Sequence, residues 1–425
     1  MGADSKQIKK TDKVSKTKER CRICGSSSLL SYLDLGQMPL PNNLFKTQEE
    51  ALNCDKYQLK VNYCTNCGLN QLSEVVDPRV LFSHYVYKSG VSQGYIDHCK
   101  QMTKDFKKKY NLNVGSSADF IIDVAGNDCT LLEQFKQEIP GLRLLNIDPA
   151  KNLCEICREK GIIAYNEFLT INTAIDVVGT YGLAQVITAT NVTAHVDDIR
   201  NFFLSVKFML AYNGVFIIEF PYLVDTVEKN AFGQVYFEHL SYFTINPLKR
   251  LCDETGMKII DVQKFDIHDG TARVVIAHDY SNRDVESSVE EFLNKEQEYQ
   301  SIHTYFKWNE VIKTNLLELN TSIYELILQG FKIAGFGASA KGNTMLNAAT
   351  LDYKDIMYIV DDTKEKQGMY SPGTGIPIVN VEELKNNPVD YLLILAPNFT
   401  KEIKKRLEGV YFGKYIIPVP NVIIE

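Results

Sequence analysis

The 425-residue chain lacks a long hydrophobic run. No uninterrupted apolar stretch approaches the ~18 residues that a membrane-spanning helix needs, and the amino terminus lacks the apolar core of a secretory signal. Residues 1–20 are instead rich in lysine and poor in apolar side chains, which predicts a solvated, disordered basic tail. We therefore expect a cytoplasmic protein that does not bind a membrane.

The excess of positive charge that is typical of nucleic-acid-binding proteins is also missing. The formal net charge is -7 at pH 7, so the composition gives no reason to expect a nucleic-acid partner. Hydrophobic residues make up 45% of the chain and charged residues 23%, which is typical of a globular protein and not of a disordered or fibrous one. The length predicts two or three domains, and we expect a monomer or a weak homodimer.

The ten cysteines do not form the pattern of a disulfide-rich secreted protein. Two C-x-x-C pairs, Cys21 with Cys24 and Cys64 with Cys67, are each followed directly by a glycine that suits a tight turn. Four thiolates satisfy a tetrahedral Zn²⁺ and leave no open position. The pairs therefore predict a zinc-binding module over residues 21–84, with a structural metal.

The remaining cysteines are expected to be thiols. Cys154 and Cys157 also have C-x-x-C spacing, but they lie in a helical pattern and have no matching second pair. We interpret both as core-facing thiols. Cys54 is a weaker candidate ligand because it has no partner at this spacing.

Short apolar runs alternate with amphipathic stretches between residues 119 and 220, from "DFIIDVAG" to "VFIIEFP". This pattern predicts an α/β domain with a parallel sheet and helices on both faces. Two strands follow, "KIIDVQKFDI" and "TARVVIAHDY", joined across the hairpin signal "HDG". An antiparallel hairpin that closes a parallel sheet is the layout of class I, Rossmann-like methyltransferases, which use S-adenosylmethionine. We expect this domain over residues 85–284.

The tight loop in "DVAGNDCTLL" connects a predicted strand to a helix and directs free backbone N–H groups to the edge of the sheet. Asp148 ends the next strand, where its carboxylate can accept both ribose hydroxyls of an adenosine. Asn191 and His195 follow the fourth strand and face the same crevice. The segment "YVYKSGVS" could cover the cofactor, contact a sugar or be a mere linker. The expected cofactor contacts are Tyr87, Ser89, Asp123, Ala125, Gly126, Asn127, Asp128, Asp148 and Asn191.

A predicted helical connector over residues 285–329 leads to a smaller α/β domain over residues 330–425. Its first strand is followed by the pattern G-x-G-x-x-A, formed by Gly335, Gly337 and Ala340. Asp361 ends the next strand. By spacing alone this is a dinucleotide-binding fingerprint.

The series of motifs resembles the sugar-nucleotide C-methyltransferases, exemplified by 3-C-methyltransferases that act on 4-keto deoxysugars. The motifs are "CRICG", "LDLGQMPLPNNLF", "CTNCGLNQL", "YVYKSGVS", "NDCTLL", "TNVTAHVDD", "VFIIEFPYL", "YFEHLSYFT", "AGFGASAKGNTMLN" and "VDDTKEKQGMYSPGTGIPI". The resemblance covers nearly all of the chain after the tail. It implies a zinc-binding module, a domain for S-adenosylmethionine and a carboxyl-terminal domain that helps to hold a nucleotide sugar. The chain departs from the family at Ala125 and Cys129, where glycine is usual, and at Phe237, where a polar residue is favoured.

Methylation of a carbon beside a ketone requires a base that removes the proton at C3 and a donor that stabilises the enolate. The stretch "QVYFEHLSYF" supplies candidates. His239 is the expected base, because an imidazole with a pKa near ~6.5 accepts a proton at neutral pH without large tuning. Tyr236 is its expected partner, Glu238 an orienting carboxylate and His195 a second acid or base. A helical turn would place Tyr236 beside His239, whereas an extended segment would align it with Glu238.

The resemblance also implies contacts to the nucleotide sugar, from Tyr222, His268, Arg273, Gly337, Ser339, Lys341, Asn343 and Asp361. Two other functions remain open. The G-x-G-x-x-A loop supports an NAD(P)-dependent oxidoreductase of sugar nucleotides. The two missing glycines support a catalytically impaired homologue that only binds sugar nucleotides.

Overall fold

The computed structural model describes residues 14–82, 88–109, 120–267 and 269–425. Most of the predicted tail lies outside these ranges. So do two predicted site residues, Tyr87 and His268.

The amino-terminal module is built around an antiparallel sheet. Its long strands β2 and β3 pair with each other, and β4 extends the sheet on the other side of β3. The elements of this region are β1 (Ser15–Thr17), β2 (Leu29–Pro39), α1 (Gln48–Leu52), β3 (Lys56–Cys64), β4 (Asn70–Leu72), β5 (Glu74–Val76) and α2 (Pro78–Phe82).

The central domain has the predicted alternation of strands and helices. Its strands are nearly continuous apolar runs because helices cover both faces of the sheet; all five residues of the first strand are buried. The elements up to the fifth strand are α3 (Gln93–Lys109), β6 (Phe120–Val124), α4 (Thr130–Glu138), β7 (Arg143–Ile147), α5 (Lys151–Glu159), β8 (Ile163–Tyr165), α6 (Ile171–Tyr181), β9 (Ala184–Thr190), α7 (Ile199–Met209) and β10 (Leu210–Pro221).

The sheet closes with the predicted antiparallel hairpin. After β10 come α8 (Leu223–Glu228), β11 (Ser241–Tyr242), α9 (Ile245–Thr255), β12 (Met257–Phe265) and β13 (Thr271–His278). The strand order is β12-β13-β10-β9-β6-β7-β8, with β13 antiparallel to both neighbours. The predicted class I fold is therefore confirmed. Strand β11 leaves this sheet and pairs with β4 of the amino-terminal module.

The connector and the carboxyl-terminal domain follow. The long helix α11 packs on β2 through buried aromatic residues, with the rings of Tyr305 and Tyr32 5.1 Å apart. The second sheet is parallel except for its last strand, in the order β16-β15-β14-β17-β18-β19. The elements are α10 (Ser287–Lys295), α11 (Ile302–Leu328), β14 (Ile333–Phe336), α12 (Ala340–Ala348), β15 (Ile359–Val360), β16 (Ile378–Val379), α13 (Glu383–Asn386), β17 (Tyr391–Ile394), α14 (Thr400–Leu407), β18 (Lys414–Ile417) and β19 (Ile423–Ile424).

Across the described ranges, the model contains no helix that combines the length and the apolar character needed to cross a membrane.

Candidate active site

The four cysteines of the two C-x-x-C pairs converge in the amino-terminal module. The sulfur atoms of Cys21 and Cys67 are 3.4 Å apart, those of Cys24 and Cys64 are 3.5 Å apart, and all four lie within 4.8 Å of one another. A tetrahedral zinc with Zn–S bonds of about 2.3 Å requires sulfur separations of about 3.8 Å. The donor set thus fits a structural Zn²⁺, as predicted.

The cofactor loop follows β6 and contains three non-glycine residues with left-handed backbone. Ala125, Asn127 and Cys129 have φ values of 50°, 54° and 64°. This conformation costs a residue with a Cβ about 1–2 kcal/mol, which explains why glycine is usual at the first and third of these positions. Position 126 requires glycine for a different reason. It has no room for a side chain, because a Cβ there would lie 2.5 Å from Oδ2 of Asp123.

Two buried carboxylates lie beneath this loop. Asp123 accepts a hydrogen bond of 2.7 Å from Thr188 Oγ1, and burial raises its pKa to about 7. Asp148 accepts hydrogen bonds from the backbone N–H groups of Asn127, at 3.1 Å, and Ala150, at 2.8 Å. Burial raises the pKa of Asp148 to about 6. No lysine or arginine pairs with Asp148 among the residues the model describes, so its carboxylate remains an uncompensated acceptor at the predicted ribose site.

The same loop holds a disulfide that the sequence reading did not expect. Cys129, directly before α4, is bonded to Cys157 on α5, and both side chains are fully buried. The expectation of a free thiol is wrong for Cys157. It is correct for Cys154, which is buried and unbonded to another cysteine. The bridge fastens the end of the cofactor loop to the helix that follows Asp148.

Asn146 is a contact of the cofactor loop that sequence reasoning missed. It lies on β7 with no solvent exposure, accepts a hydrogen bond from Gly126 N at 3.0 Å, and donates one to Asn127 O at 3.4 Å. A lone amide inside the apolar run "LRLLNID" was the available signal, because a buried polar group needs a partner.

The segment before α3 docks on the cofactor loop. The N–H of Ser89 donates to Asn127 Oδ1 at 3.0 Å, and the N–H of Gly90 donates to Asp128 Oδ2 at 3.1 Å. This contact supports a covering segment over a mere linker. Tyr87, the other expected contact in this segment, lies outside the described residues.

The end of β9 brings His195 to residues 234–243, called the catalytic stretch below because the sequence predicts the catalytic residues there. Asn191 has a φ of 58°, and its N–H donates to Glu219 O at 2.8 Å. Four residues later, the ring of His195 lies 5.0 Å from that of His239. Burial lowers the pKa of His195 to about 4.

The catalytic stretch forms a turn in which Tyr236 lies beside His239. The N–H of His239 donates to Tyr236 O at 3.0 Å, and the Tyr236 hydroxyl is 2.9 Å from His239 Nε2. Nδ1 of His239 lies 2.8 Å from the carbonyl oxygen of Gln234, which can only accept, so Nδ1 carries a hydrogen and Nε2 is the free base. Tyr236 is partly exposed, whereas His239 is 5% exposed.

The expectation that His239 has an ordinary pKa is wrong. Burial, the neighbouring His195 and Lys341 hold the pKa of His239 well below its usual range. The imidazole is therefore neutral at physiological pH, and its protonation requires a compensating negative charge nearby.

Glu238 and Phe237 point to the amino-terminal module. Glu238 is 2% exposed, and its Oε1 accepts a hydrogen bond of 2.5 Å from Nδ2 of Asn42. Phe237 packs edge-on against Tyr57, with ring centres 5.9 Å apart. An apolar residue at position 237 therefore fills an interface between domains.

Two expected substrate contacts have structural partners instead. Arg273 is 1% exposed on β13, and its Nε donates to Glu219 at 2.7 Å. Tyr222 is 3% exposed and donates to Glu296 at 2.7 Å. Both side chains are buried because each compensates a buried carboxylate, so their geometry gives no support to substrate contact. His268 lies outside the described residues.

The glycine loop of the carboxyl-terminal domain faces the amino-terminal module. Gly337 has a φ of 96°, and Asp361 accepts a hydrogen bond of 2.8 Å from Ala338 N. Ser339 caps α12 by accepting from Gly342 N at 3.0 Å. A cavity of only ≈ 10 Å³ separates this loop from Pro41 and Leu44.

Helix α12 also reaches the catalytic turn. Lys341 forms an ion pair with Asp269, to which Gln234 donates at 3.3 Å. Asn343 donates to Pro41 O at 3.0 Å. The predicted catalytic residues thus lie where all three domains meet.

Comparisons with known proteins agree with this domain order. Residues 21–82 match the family model "Putative zinc binding domain", residues 105–262 match "Methyltransferase domain" and residues 266–420 match "C-methyltransferase C-terminal domain". The C-methyltransferase NovU of Streptomyces niveus is 30% identical over 413 residues, which cover 95% of this chain and 96% of that protein.

Solved structures show weaker likeness. A methyltransferase from Clostridium acetobutylicum is 13% identical, with a TM-score of 0.34, over 43% of this chain and 92% of that one. One from Anabaena variabilis is 16% identical, with a TM-score of 0.34, over 42% of this chain and 84% of that one. These values are too low to inform the site.

Proposed function

Because the chain belongs to the S-adenosylmethionine-dependent C-methyltransferase family, we propose that it methylates a carbon of a nucleotide-linked 4-keto (deoxy)sugar. The observation that carries the proposal is the hydrogen-bonded pair of Tyr236 and His239, whose free Nε2 lies beside the hydroxyl. S-adenosylmethionine would supply an electrophilic methyl group when bound.

The proton at C3 of the sugar would leave through this pair. Tyr236 is the more exposed member, so its oxygen accepts the C3 proton while its own proton passes to His239 Nε2. The electron pair of the broken C–H bond would become the enolate, which would form the new C–C bond to the methyl group while the bond from that methyl group to sulfur breaks and its electron pair stays on the sulfur as a neutral thioether. This revises the expected division of roles, in which His239 touches the substrate.

Electrostatics favour proton transfer to His239 only when substrate is present. The transfer creates a positive imidazolium, which needs the negative enolate nearby. His239 is neutral because burial, His195 and Lys341 disfavour its cation. An enolate close to the imidazolium would compensate that charge inside a site of low dielectric. The empty enzyme is thus kept in the proton-accepting state.

The sugar nucleotide would lie between the catalytic turn and α12. Lys341 supplies a cation at this boundary, and its pairing with Asp269 fixes its position. Ser339, Asn343 and Gly337 lie on the same loop and helix start, where backbone N–H groups favour an anion such as a diphosphate.

The NAD(P) alternative has less support. A dinucleotide needs an unpaired carboxylate at Asp361 for its ribose, whereas Nζ of Lys366 lies 3.5 Å from that carboxylate. Titration with NAD(H) and NADP(H) by calorimetry should give no micromolar binding.

The test is incubation with S-adenosylmethionine and a panel of nucleotide 4-keto sugars, followed by mass spectrometry and by exchange of the C3 proton for deuterium. Tyr236→Phe should reduce both signals by about 100-fold or more. Tyr242→Phe is the matched control, since the Tyr242 ring is 6.5 Å from His239 compared with 4.1 Å for Tyr236. Full activity of Tyr236→Phe would refute the assigned pair.

We also propose that the protein works in the cytoplasm, where the four thiols at the zinc site stay reduced, while complete burial of Cys129 and Cys157 shields their disulfide from attacking thiols. We propose that it acts as a monomer or a weak homodimer.

A further inference from the structure

The zinc-binding module contacts both loops of the candidate catalytic centre. Arg22, next to the zinc ligand Cys21, donates to Asp197 at 3.2 Å, two residues after His195. On the other side, β4 pairs with β11, directly after the catalytic turn, and Leu72 N donates to Leu240 O at 3.0 Å. The backbone of the module therefore fixes where the catalytic turn ends.

One side chain of the module enters the turn itself. Asn42 lies on the exposed loop after β2, yet its Nδ2 donates to the buried carboxylate of Glu238 at 2.5 Å. The preceding residue, Pro41, is held in turn by Asn343 of α12 at 3.0 Å. The loop is thus held between the carboxyl-terminal domain and the catalytic turn.

We propose that Asn42 is a positioning residue of the catalytic turn, and that the zinc-binding module completes the active site through it. A hydrogen bond to a buried carboxylate is directional and strong. It fixes the side chain of Glu238, and with it the turn that places Tyr236 against His239. The inference rests on the proposed function, because it assigns a purpose to a contact within that site.

The sharpest variant is Asn42→Asp, which keeps the size of the side chain and replaces the donor with a carboxylate. Two carboxylates in contact share a proton, so the pKa of the pair for this proton is higher than that of an ordinary carboxylic acid. Below that pH, the acid form of the new side chain again donates to Glu238. The other titratable or charged groups around this turn are Tyr236, His239, His195, Tyr57, Asp269 and Lys341.

Asn43→Asp is the matched control. Asn43 is the adjacent exposed asparagine, and its side chain makes no hydrogen bond to any residue described by the model. The two variants change the net charge equally, so a difference between them reports the contact with Glu238.

At pH 8, we expect Asn42→Asp to lower kcat at least about tenfold, with an unchanged Kd for S-adenosylmethionine. The activity relative to the native protein should rise again as the pH falls towards 5. Asn42→Ala should lose activity without this recovery, and Asn43→Asp should match the native protein at every pH.

Hydrogen exchange gives a readout that needs no substrate. Peptides that cover residues 234–243 should exchange faster in Asn42→Asp than in Asn43→Asp at pH 8. Native protein that methylates no sugar would refute the proposed function while this exchange difference persists. Equal kcat and equal exchange in the two aspartate variants would refute the role of Asn42.

Discussion

The chain contains two loops that look alike in sequence, one after β6 and one after β14, and they are used differently. Each follows the first strand of a parallel unit, each leads into a helix, and each is followed by an aspartate at the end of the next strand, Asp148 or Asp361. Both aspartates accept a hydrogen bond from a loop N–H. Spacing alone would assign a nucleotide to both.

The surroundings of the two aspartates differ. Lys366 lies 3.5 Å from Asp361 and compensates its charge. Asp148 has no cationic partner among the described residues, and burial raises its pKa to about 6. An uncompensated carboxylate gains most from new donors such as ribose hydroxyls. We therefore propose that the central loop, and not the carboxyl-terminal one, binds an adenosine.

The largest effect on the Kd for S-adenosylmethionine should come from replacing one of the two aspartates with asparagine, each in its own variant. Asp148→Asn should raise the Kd for S-adenosylmethionine by about 100-fold, because two hydrogen bonds to a charged acceptor are weakened. Asp361→Asn should leave this Kd unchanged. Calorimetry on both variants checks the comparison, and equal losses of affinity would contradict it.

A glycine-to-alanine substitution in the central loop should give the next largest effect on cofactor affinity, and the same substitution in the carboxyl-terminal loop is its comparison. In Gly126→Ala, the new Cβ would lie 2.5 Å from Asp123 Oδ2, and relief of this overlap should weaken cofactor binding about tenfold. Gly337→Ala should lower the melting temperature, since φ is 96° there, but should not change cofactor affinity. The two variants are compared by calorimetry and thermal unfolding.

The pH dependence of cofactor binding should separate the loops further. The pKa of Asp148 is about 6, so the carboxylate that accepts the ribose is ionised above this pH and protonated below it. The Kd should rise by up to about tenfold per unit below pH 6, and a separate change near pH 7 would belong to Asp123, whose pKa is about 7. Asp148→Asn should lose this dependence, and Asp361→Asn should retain it.

The disulfide should affect the stability of the protein and have the smallest effect of these changes on the Kd for S-adenosylmethionine. Only the central loop has such a bridge among the described residues. Replacing Cys129 and Cys157 together with serine should lower the free energy of unfolding by about 3 kcal/mol, because the closed loop of the unfolded chain is released. Cys154→Ser, a nearby buried thiol with no such bond, controls for loss of a buried sulfur. Thiol titration of the denatured native protein should count two thiols more after reduction than before.

Sequence reasoning predicted the zinc ligands, the alternation of strands and helices, and the closing antiparallel hairpin, because these depend on local patterns. Spacing of cysteines, alternation of apolar runs and the hairpin signal "HDG" act over a few residues each. It also predicted substrate contacts for Arg273 and Tyr222, whose geometry gives that role no support because each side chain hydrogen-bonds to a buried carboxylate. It also missed Asn146, whose role depends on which backbone lies beside it.

The sequence by itself determined which chemical groups are available: four thiolates, a loop with an acceptor carboxylate, and a tyrosine–histidine pair in one stretch. Only the tertiary structure decided how they are used. The contact of Asn42 with Glu238 joins residues 196 positions apart, and the low pKa of His239 arises from its burial and from His195 and Lys341, which lie on two other segments. Periodicity reports which face of an element is buried, whereas such contacts depend on how the domains pack, so no local pattern could have contained them.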